Sequence, residues 1–397
     1  MKKDFFKYQA QTSPHPLAIE ISKAEGCYVY DTKGKTYLDF IAGVSANTLG
    51  HNHPVISQAI KNQVDAYTHV MVYGEFIQKP QVEFAKLLAN NLPKSLETVY
   101  VTNSGTEATE GAIKLAKRYT GRYEIIAAKN GYHGNTQGAM SVCGAENQNS
   151  AFRPLIPGIK FIVFNNEVDL TKITTKTAAV ILETIQGGAG FIVPKNNYLQ
   201  KVKKQCEKVG ALLILDEIQS GIGRTGKLFG FENYNVIPDI IVTGKGLGGG
   251  MPIGAFIASH KMMSALKEHP KLGHITTFGG HPVITAAAYA TLSTLLNSNL
   301  IKDTLQKEAL IRKLLIHPLI TEIRGKGLML AAIVKTNKIA SKVILKSLEK
   351  GLLLFWLLFE GKAIRITPPL TITENEIKKG CAIIIECLNK IYTKKTV

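Results

Sequence analysis

Asp239-Ile240-Ile241-Val242-Thr243-Gly244-Lys245-Gly246-Leu247-Gly248-Gly249-Gly250 carries a short apolar strand into a lysine caged by glycines. Glycines have no side chain, so a small molecule can approach the Lys245 amine closely, even at backbone level. That setting suits a lysine that forms a Schiff base better than one that only solvates a surface. Upstream, a second apolar strand, Ala211-Leu212-Leu213-Ile214-Leu215, runs straight into Asp216.

Outward from these two strands the chain alternates strand-like and helix-like segments. Glu97-Thr98-Val99-Tyr100-Val101 leads into a helix expected over 106–119, and further strands are expected at Glu124-Ile125-Ile126-Ala127, Lys160-Phe161-Ile162-Val163-Phe164 and Ala178-Ala179-Val180-Ile181-Leu182. A helix over 197–209 precedes the strand that ends at Asp216. Strands nearly continuous in Val, Ile and Leu, separated by helices, predict an α/β fold with a mostly parallel sheet covered on both faces. From about Leu300 the pattern changes. Ala363-Ile364-Arg365-Ile366-Thr367 alternates like a sheet strand, and Thr373-Glu374-Asn375-Glu376 is a capping box. Ile377, Cys381, Ile384, Ile385, Leu388 and Ile391 then mark one face of a last helix. The expected organisation is a large domain over 56–299 and a smaller α+β domain over 300–397, joined by the N-terminal segment 1–55.

Composition excludes several classes. The 397-residue chain is 45% hydrophobic and 20% charged, the make-up of a folded globular protein. Its net charge is +18, but the lysines are dispersed, with only short runs such as Lys201-Val202-Lys203-Lys204 and Lys394-Lys395. A nucleic-acid surface clusters its charge; a dispersed one is a solvated face that also favours the arrival of anionic substrates and a phosphate-bearing cofactor. No nucleic-acid partner is expected. Five cysteines without a C-x-x-C pair predict reduced thiols in a cytoplasm and no zinc site or disulfide framework, hence no metal. Met1-Lys2-Lys3-Asp4-Phe5 lacks the apolar run of a signal peptide. The longest apolar stretch, from Leu352 to Phe359, is far short of a membrane span and reads as a buried strand or as surface covered by a second subunit.

Several segments carry candidate chemistry. Asn103-Ser104-Gly105-Thr106-Glu107 follows a strand and opens a helix; the free N–H groups of that first turn, with the Ser104 and Thr106 hydroxyls, form a phosphate site or a plain helix cap. A buried carboxylate at Asp216 and a lysine at Lys245 are the two fixtures that pyridoxal phosphate chemistry requires: the acid keeps the pyridine nitrogen protonated, which makes the ring an electron sink. Gln219 lies close enough in sequence to reach the same ring. Tyr132, within Gly131-Tyr132-His133-Gly134, offers an aromatic face for a flat cofactor. Arg365, in an apolar strand before Pro368-Pro369, needs either a structural ion pair or a substrate carboxylate held through two parallel bonds. Gly244-x-Gly246-x-x-Gly249 matches a dinucleotide fingerprint literally, but Met251-Pro252 breaks the helix that fingerprint needs.

Taken together, these segments resemble the class III aminotransferases, of ornithine and 4-aminobutyrate type, from about Gly26 to the last helix. The resemblance rests on Ser104 through Ala108, on Leu215 through Gly226, on Pro238 through Gly254, on Thr277-Phe278-Gly279-Gly280-His281-Pro282 and on Arg365-Ile366-Thr367-Pro368-Pro369-Leu370. It implies the type I fold of pyridoxal-phosphate-dependent transferases and a ping-pong transfer of an amino group to a 2-oxo acid such as 2-oxoglutarate or pyruvate. It also implies that Lys245 is the Schiff-base lysine and then the acid/base. Asp216 would pair the ring nitrogen and Gln219 the ring hydroxyl; Gly105 and Thr106 would bind phosphate; Tyr132 would stack on the ring. Glu183 matches a supporting acid of the family, and Arg365 would take the substrate carboxylate. Thr277 would reach the phosphate of a neighbouring subunit, which implies a homodimer with shared sites.

Two positions depart from the ornithine-type pattern. Asn135 stands where an arginine is usual after the His-Gly pair, and Gly188 stands where a glutamate is usual after Gln-Gly. The family's glutamate masks the carboxylate-binding arginine while an ω-amine donor reacts. The expectation is therefore an Arg365 free in both half-reactions and an altered donor range, including α-amino acids such as alanine or amines with uncharged tails. Rival readings are a racemase, mutase or decarboxylase on the same fold, a nicotinamide-dependent oxidoreductase, and a catalytically silent binding protein.

Overall fold

The computed structural model describes residues 1–393; the Lys394-Lys395 pair lies outside the described residues. A seven-stranded sheet forms its centre. Its strands are Thr98–Thr102 (β1), Glu124–Ala128 (β2), Ile159–Ile162 (β3), Thr177–Glu183 (β4), Leu212–Asp216 (β5), Ile240–Gly244 (β6) and Gly254–Ala258 (β7), in the spatial order β1-β7-β6-β5-β4-β2-β3. All neighbouring pairs are parallel except those of β7, which runs antiparallel to both β1 and β6. Strands β2, β4, β5 and β6 are buried at every position, as expected for parallel strands covered on both faces.

The expected elements are present within a residue or two at each end. The helix after β1 spans Gly105–Thr120 (α1) and stops at Gly121 in the left-handed conformation. Strand β7 is the addition: sequence reading takes Met251-Pro252-Ile253-Gly254 as a break, whereas the chain returns there as an antiparallel strand. Gly254 permits it, because a Cβ at this position would lie 2.0 Å from the Ser104 carbonyl oxygen.

Two smaller sheets flank the centre. One is antiparallel, built from Ile320–Lys326, Met329–Val334 and Ala363–Ile366. The other joins Ile21–Glu25, Tyr28–Asp31 and Thr36–Asp39 from the N-terminal segment to Leu352–Leu353, with Leu352 beside Leu38. The N-terminal segment thus pairs directly with the C-terminal part. The last helix, Glu374–Thr393, buries Ile377, Cys381, Ile384, Leu388 and Ile391, and Thr373 and Glu376 exchange the two bonds of the capping box.

The Leu352 to Phe359 stretch differs from the expected single buried strand. Only Leu352–Leu353 pair as a strand; Phe355 and Leu358 are then 39% and 50% exposed. Fully buried Arg224 ties this half to the centre, its Nη1 donating to the carbonyls of Leu328 and Pro368.

Candidate active site

The parallel strands all end at one edge of the central sheet, and a cavity of about 390 Å³ opens there, the place where ligands bind in open α/β sheets. Glu183 closes β4 and Asp216 closes β5, as register neighbours. Lys245 follows β6 directly, and α1 begins right after β1. Lys245, Asp216, Glu183, Gln219, Tyr132 and Arg365 all line this one cavity, with Gly105 and Thr106. Residues far apart in the sequence, from Gly105 to Arg365, thus share one cavity.

Lys245 has φ of 44°, a left-handed backbone that costs a non-glycine residue energy and is concentrated at functional sites. The flanking glycines are needed for packing as well as access: a Cβ on Gly246 would sit 2.2 Å from Thr48 Oγ1, and one on Gly244 2.9 Å from the Ile253 carbonyl. Burial, with the Arg365 charge, holds the Lys245 amine below the usual lysine range against the opposing pull of Asp216 and Glu183. The run continues as a single turn over Lys245–Gly248 and then into β7. It does not open the helix a dinucleotide fingerprint requires.

Asp216 is anchored on both oxygens: Oδ1 accepts from the Ile218 N–H at 2.9 Å, and Oδ2 lies 2.8 Å from His133 Nδ1. His133 is fully buried, and burial disfavours its charge. The Asp216 hydrogen bond and charge outweigh that, so its pKa is raised. Sequence reading does not single out His133; the only signal is its place in the Gly131–Gly134 turn. Glu183 accepts from the Tyr132 N–H at 3.0 Å and the Gly187 N–H at 2.8 Å. Burial raises its carboxyl to about 7 against the pull of His133 and those two N–H groups, with the Asp216 charge adding to the rise. This carboxylate thereby fixes the loop that carries Tyr132, a residue 37% exposed.

The start of α1 supplies the anion site. By position, the N–H groups of Gly105 and Thr106 have no acceptor within the helix. The Thr106 hydroxyl is tied into a chain with Thr136 and Glu110, at 2.8 and 2.6 Å. Gly134 must lack a side chain, since a Cβ there would lie 2.2 Å from Thr106 Oγ1. Ser104 departs from expectation: its hydroxyl accepts from the Glu107 N–H as the helix cap, and Ser104 does not line the cavity. Thr277 is exposed and stands outside the cavity of its own chain.

Arg365 is 5% exposed, and its Nε and Nη1 have no hydrogen-bond partner. It forms no ion pair among the described residues; its guanidinium lies 5.8 Å from the Phe191 ring centroid. Burial lowers its pKa to about 10. A buried guanidinium with orphaned donors that faces a cavity calls for an anion. The two departing positions, Asn135 and Gly188, also line the cavity.

A helix start with free N–H groups beside side-chain-free Gly105 and Gly134, a carboxylate at a strand end, an aromatic face and a deprotonation-prone lysine fit a phosphorylated pyridine aldehyde. The class III aminotransferase family matches residues 8–388. The chain is 40% identical to the acetylornithine aminotransferase of Caldanaerobacter subterraneus subsp. tengcongensis, covering 94% of this chain and 95% of that one. It is also 40% identical to the putrescine aminotransferase of Pectobacterium atrosepticum, over 92% of this chain and 80% of that one. The ornithine aminotransferase of Toxoplasma gondii, whose structure has pyridoxal phosphate at partial occupancy in the active site, superposes with a TM-score of 0.93 at 31% identity, over 100% of this chain and 96% of that one. The chain belongs to the class III aminotransferases. It is a pyridoxal-phosphate-dependent transaminase, moving an amino group from an amino donor to a 2-oxo acid.

Proposed function

We propose that this transaminase takes an ω-amino donor of the N-acetylornithine type and passes the amino group to 2-oxoglutarate or pyruvate. The observation that carries the reading is Arg365, buried at the cavity wall with two unpartnered nitrogens. A carboxylate common to donor and oxo acid satisfies them in both half-reactions. The names of the relatives, which include acetylornithine and putrescine aminotransferases, support an ω-amine.

The bound cofactor supplies an electron sink for the carbon that bears the amine. Asp216, held by His133, would carry the ring nitrogen, Gln219 the ring hydroxyl, and Gly105 and Thr106 the phosphate, with Tyr132 against the ring face. Glu183 holds the loop that carries Tyr132. Lys245 Nζ takes the proton from the substrate carbon and returns it on the far side of the transfer, for which its lowered pKa keeps a neutral amine available.

We place division points near residues 55 and 299, which the pairing of Leu352 with Leu38 supports by joining the N-terminal segment to the C-terminal part. We also infer a homodimer. Exposed Met71, Phe76, Ile77 and Phe278 lie on segments bound to each other through Tyr73–Thr276 and Gln81–Gly280 contacts, on either side of Thr277. An apolar surface of this kind fits a second copy whose site Thr277 completes. A cytoplasmic location is supported by five buried free thiols.

The test is the visible spectrum of the purified, cofactor-loaded protein, recorded before and after N-acetyl-L-ornithine, L-ornithine, 4-aminobutyrate or L-alanine is added separately. Loss of the visible band with N-acetyl-L-ornithine, restored by 2-oxoglutarate or pyruvate, is expected. A band unchanged by every donor overturns the reading. A response to L-alanine alone replaces the ω-amine with an α-amino acid donor.

A further inference from the structure

The hydroxyl chain behind the anion site has a direction, and that direction bears on the cofactor assigned above. We propose that Thr136, held by Glu110, is a positioning residue for the cofactor phosphate. It draws the Thr106 hydroxyl proton out of the cavity, so that the start of α1 meets the phosphate with main-chain N–H groups and the Thr106 side chain acts as a strut to the neighbouring loop.

Glu110 lies one turn after Thr106 on the same face of α1. Its Oε1 accepts three bonds from one loop, from the Thr136 hydroxyl at 2.6 Å and from the N–H groups of Gly138 and Ala139 at 2.8 and 3.1 Å. The loop backbone is pressed onto this carboxylate, since a Cβ on Gly138 would lie 2.1 Å from Glu110 Oε2. The Thr136 N–H also donates to Thr106 Oγ1 at 3.2 Å, and the two hydroxyl oxygens are 2.8 Å apart. Thr106 lines the cavity, whereas Thr136 and Glu110 stand outside its lining.

Counting protons along the chain fixes its direction. A carboxylate only accepts, and a threonine has one hydroxyl proton. Glu110 takes the proton of Thr136. The proton between the two hydroxyls is then that of Thr106, and it points to Thr136, away from the cavity. The Thr106 oxygen, which already accepts the Thr136 N–H, has no proton left for an anion. The free donors at this place are the N–H groups of Gly105 and Thr106. A second subunit that brings its own Thr277 adds a donor from outside and leaves this count unchanged.

The experiment measures dissociation constants of the full-length protein for pyridoxal phosphate and for pyridoxal, which keeps the ring and aldehyde but lacks the phosphate, from the visible band each forms. Their ratio reports what the phosphate contributes, and each variant is compared with the parental ratio. In Thr106→Val the ratio is expected to stay within about threefold, because the lost hydroxyl gave the phosphate no bond. In Thr136→Val the Thr106 proton is released to the cavity. The ratio is then expected to rise on the order of tenfold, the worth of one hydrogen bond to a charged group. Thr136→Ser, which keeps the hydroxyl, is expected to keep the parental ratio, and the double Val variant to show no rise. A larger fall in Thr106→Val overturns the proposal while leaving the transaminase intact. So does a Thr136→Val ratio that fails to rise, or a rise shared by Thr136→Ser or the double variant. A parental protein that forms a band with neither aldehyde overturns the transaminase reading and this one with it. A neutron structure of the parental holoenzyme tests the proposal without any variant: nuclear density is expected between the two hydroxyl oxygens, and density on the phosphate side of Thr106 overturns it.

Discussion

His133 Nδ1 lies 2.8 Å from Asp216 Oδ2, and both side chains are buried. With the second oxygen held by the Ile218 N–H, the carboxylate has one orientation, toward the cavity. The pair makes Asp216 a preset partner for a pyridine nitrogen, with no rearrangement needed on binding.

Replacing His133 with Phe therefore removes one charge-assisted hydrogen bond from the acid that holds the ring. Cofactor affinity is expected to fall on the order of tenfold to hundredfold, the value of one hydrogen bond to a charged group. Equilibrium dialysis against pyridoxal phosphate measures it. A variant that melts earlier yet keeps parental cofactor affinity would show that the pair only braces the fold. The pH dependence has a definite sign. His133 has a raised pKa in the folded chain, so the pair's stabilisation is fully present below the pKa of the unfolded imidazole and is lost as pH rises through the folded value. The melting difference between parent and variant shrinks across that window.

Much of this site is legible in the sequence because its signals are local. A strand running into Asp216, a lysine between glycines and a strand followed by Ser104-Gly105-Thr106 each declare themselves within a dozen residues or so. The contributors that escape sequence reading depend on distant pairing. His133 acquires its role only when the ends of β2 and β5 come to the same edge. Strand β7 pairs with β1, far away in sequence, and the Met251-Pro252 that precedes it has the form of a break. Ser104 shows the opposite case: capping and phosphate binding use the same residue types at the same spacing, and only the geometry separates them.

Arg365 and Lys245 share the cavity, and the guanidinium charge is one of the two causes that depress the lysine, after burial. Apoenzyme loading with pyridoxal phosphate consumes the neutral Lys245 amine, so the loading rate should rise with pH and reach half its maximum below the ordinary lysine pKa of about 10.4. In Arg365→Met the midpoint should move to higher pH, because a cation that disfavours the ammonium is gone. The return of visible absorbance over a pH series measures both. A midpoint that stays put in the variant would mean that burial alone sets the amine and that Arg365 acts only on substrate; one that moves down would contradict the sign assigned to the guanidinium charge.

Val44 enters the same cavity from a backbone under strain. Ala42, Gly43, Val44 and Ser45 have φ of 51°, 60°, 61° and 67°, a left-handed turn closed by the Ser45 N–H to the Ile41 carbonyl and the Ala46 N–H to the Ala42 carbonyl, at 3.0 and 2.8 Å. Asp39 holds its start, accepting from the N–H groups of Ile41 and Ala42 with Oδ1 while Oδ2 lies 2.7 Å from His51. Left-handed backbone costs about 1–2 kcal/mol per residue, more readily borne by glycine than by a β-branched valine. Val44→Gly relieves that cost but adds about 0.5–1 kcal/mol of chain entropy and gives up part of an apolar contact. The three nearly cancel, so the melting temperature should change little. The donor KM should rise, because the side chain that narrows the cavity is gone while Lys245 and Asp216 are untouched. Thermal melts and steady-state kinetics on one preparation decide it. A large loss of stability with an unchanged KM would assign Val44 to packing, and the strain would then need another explanation than the site it borders.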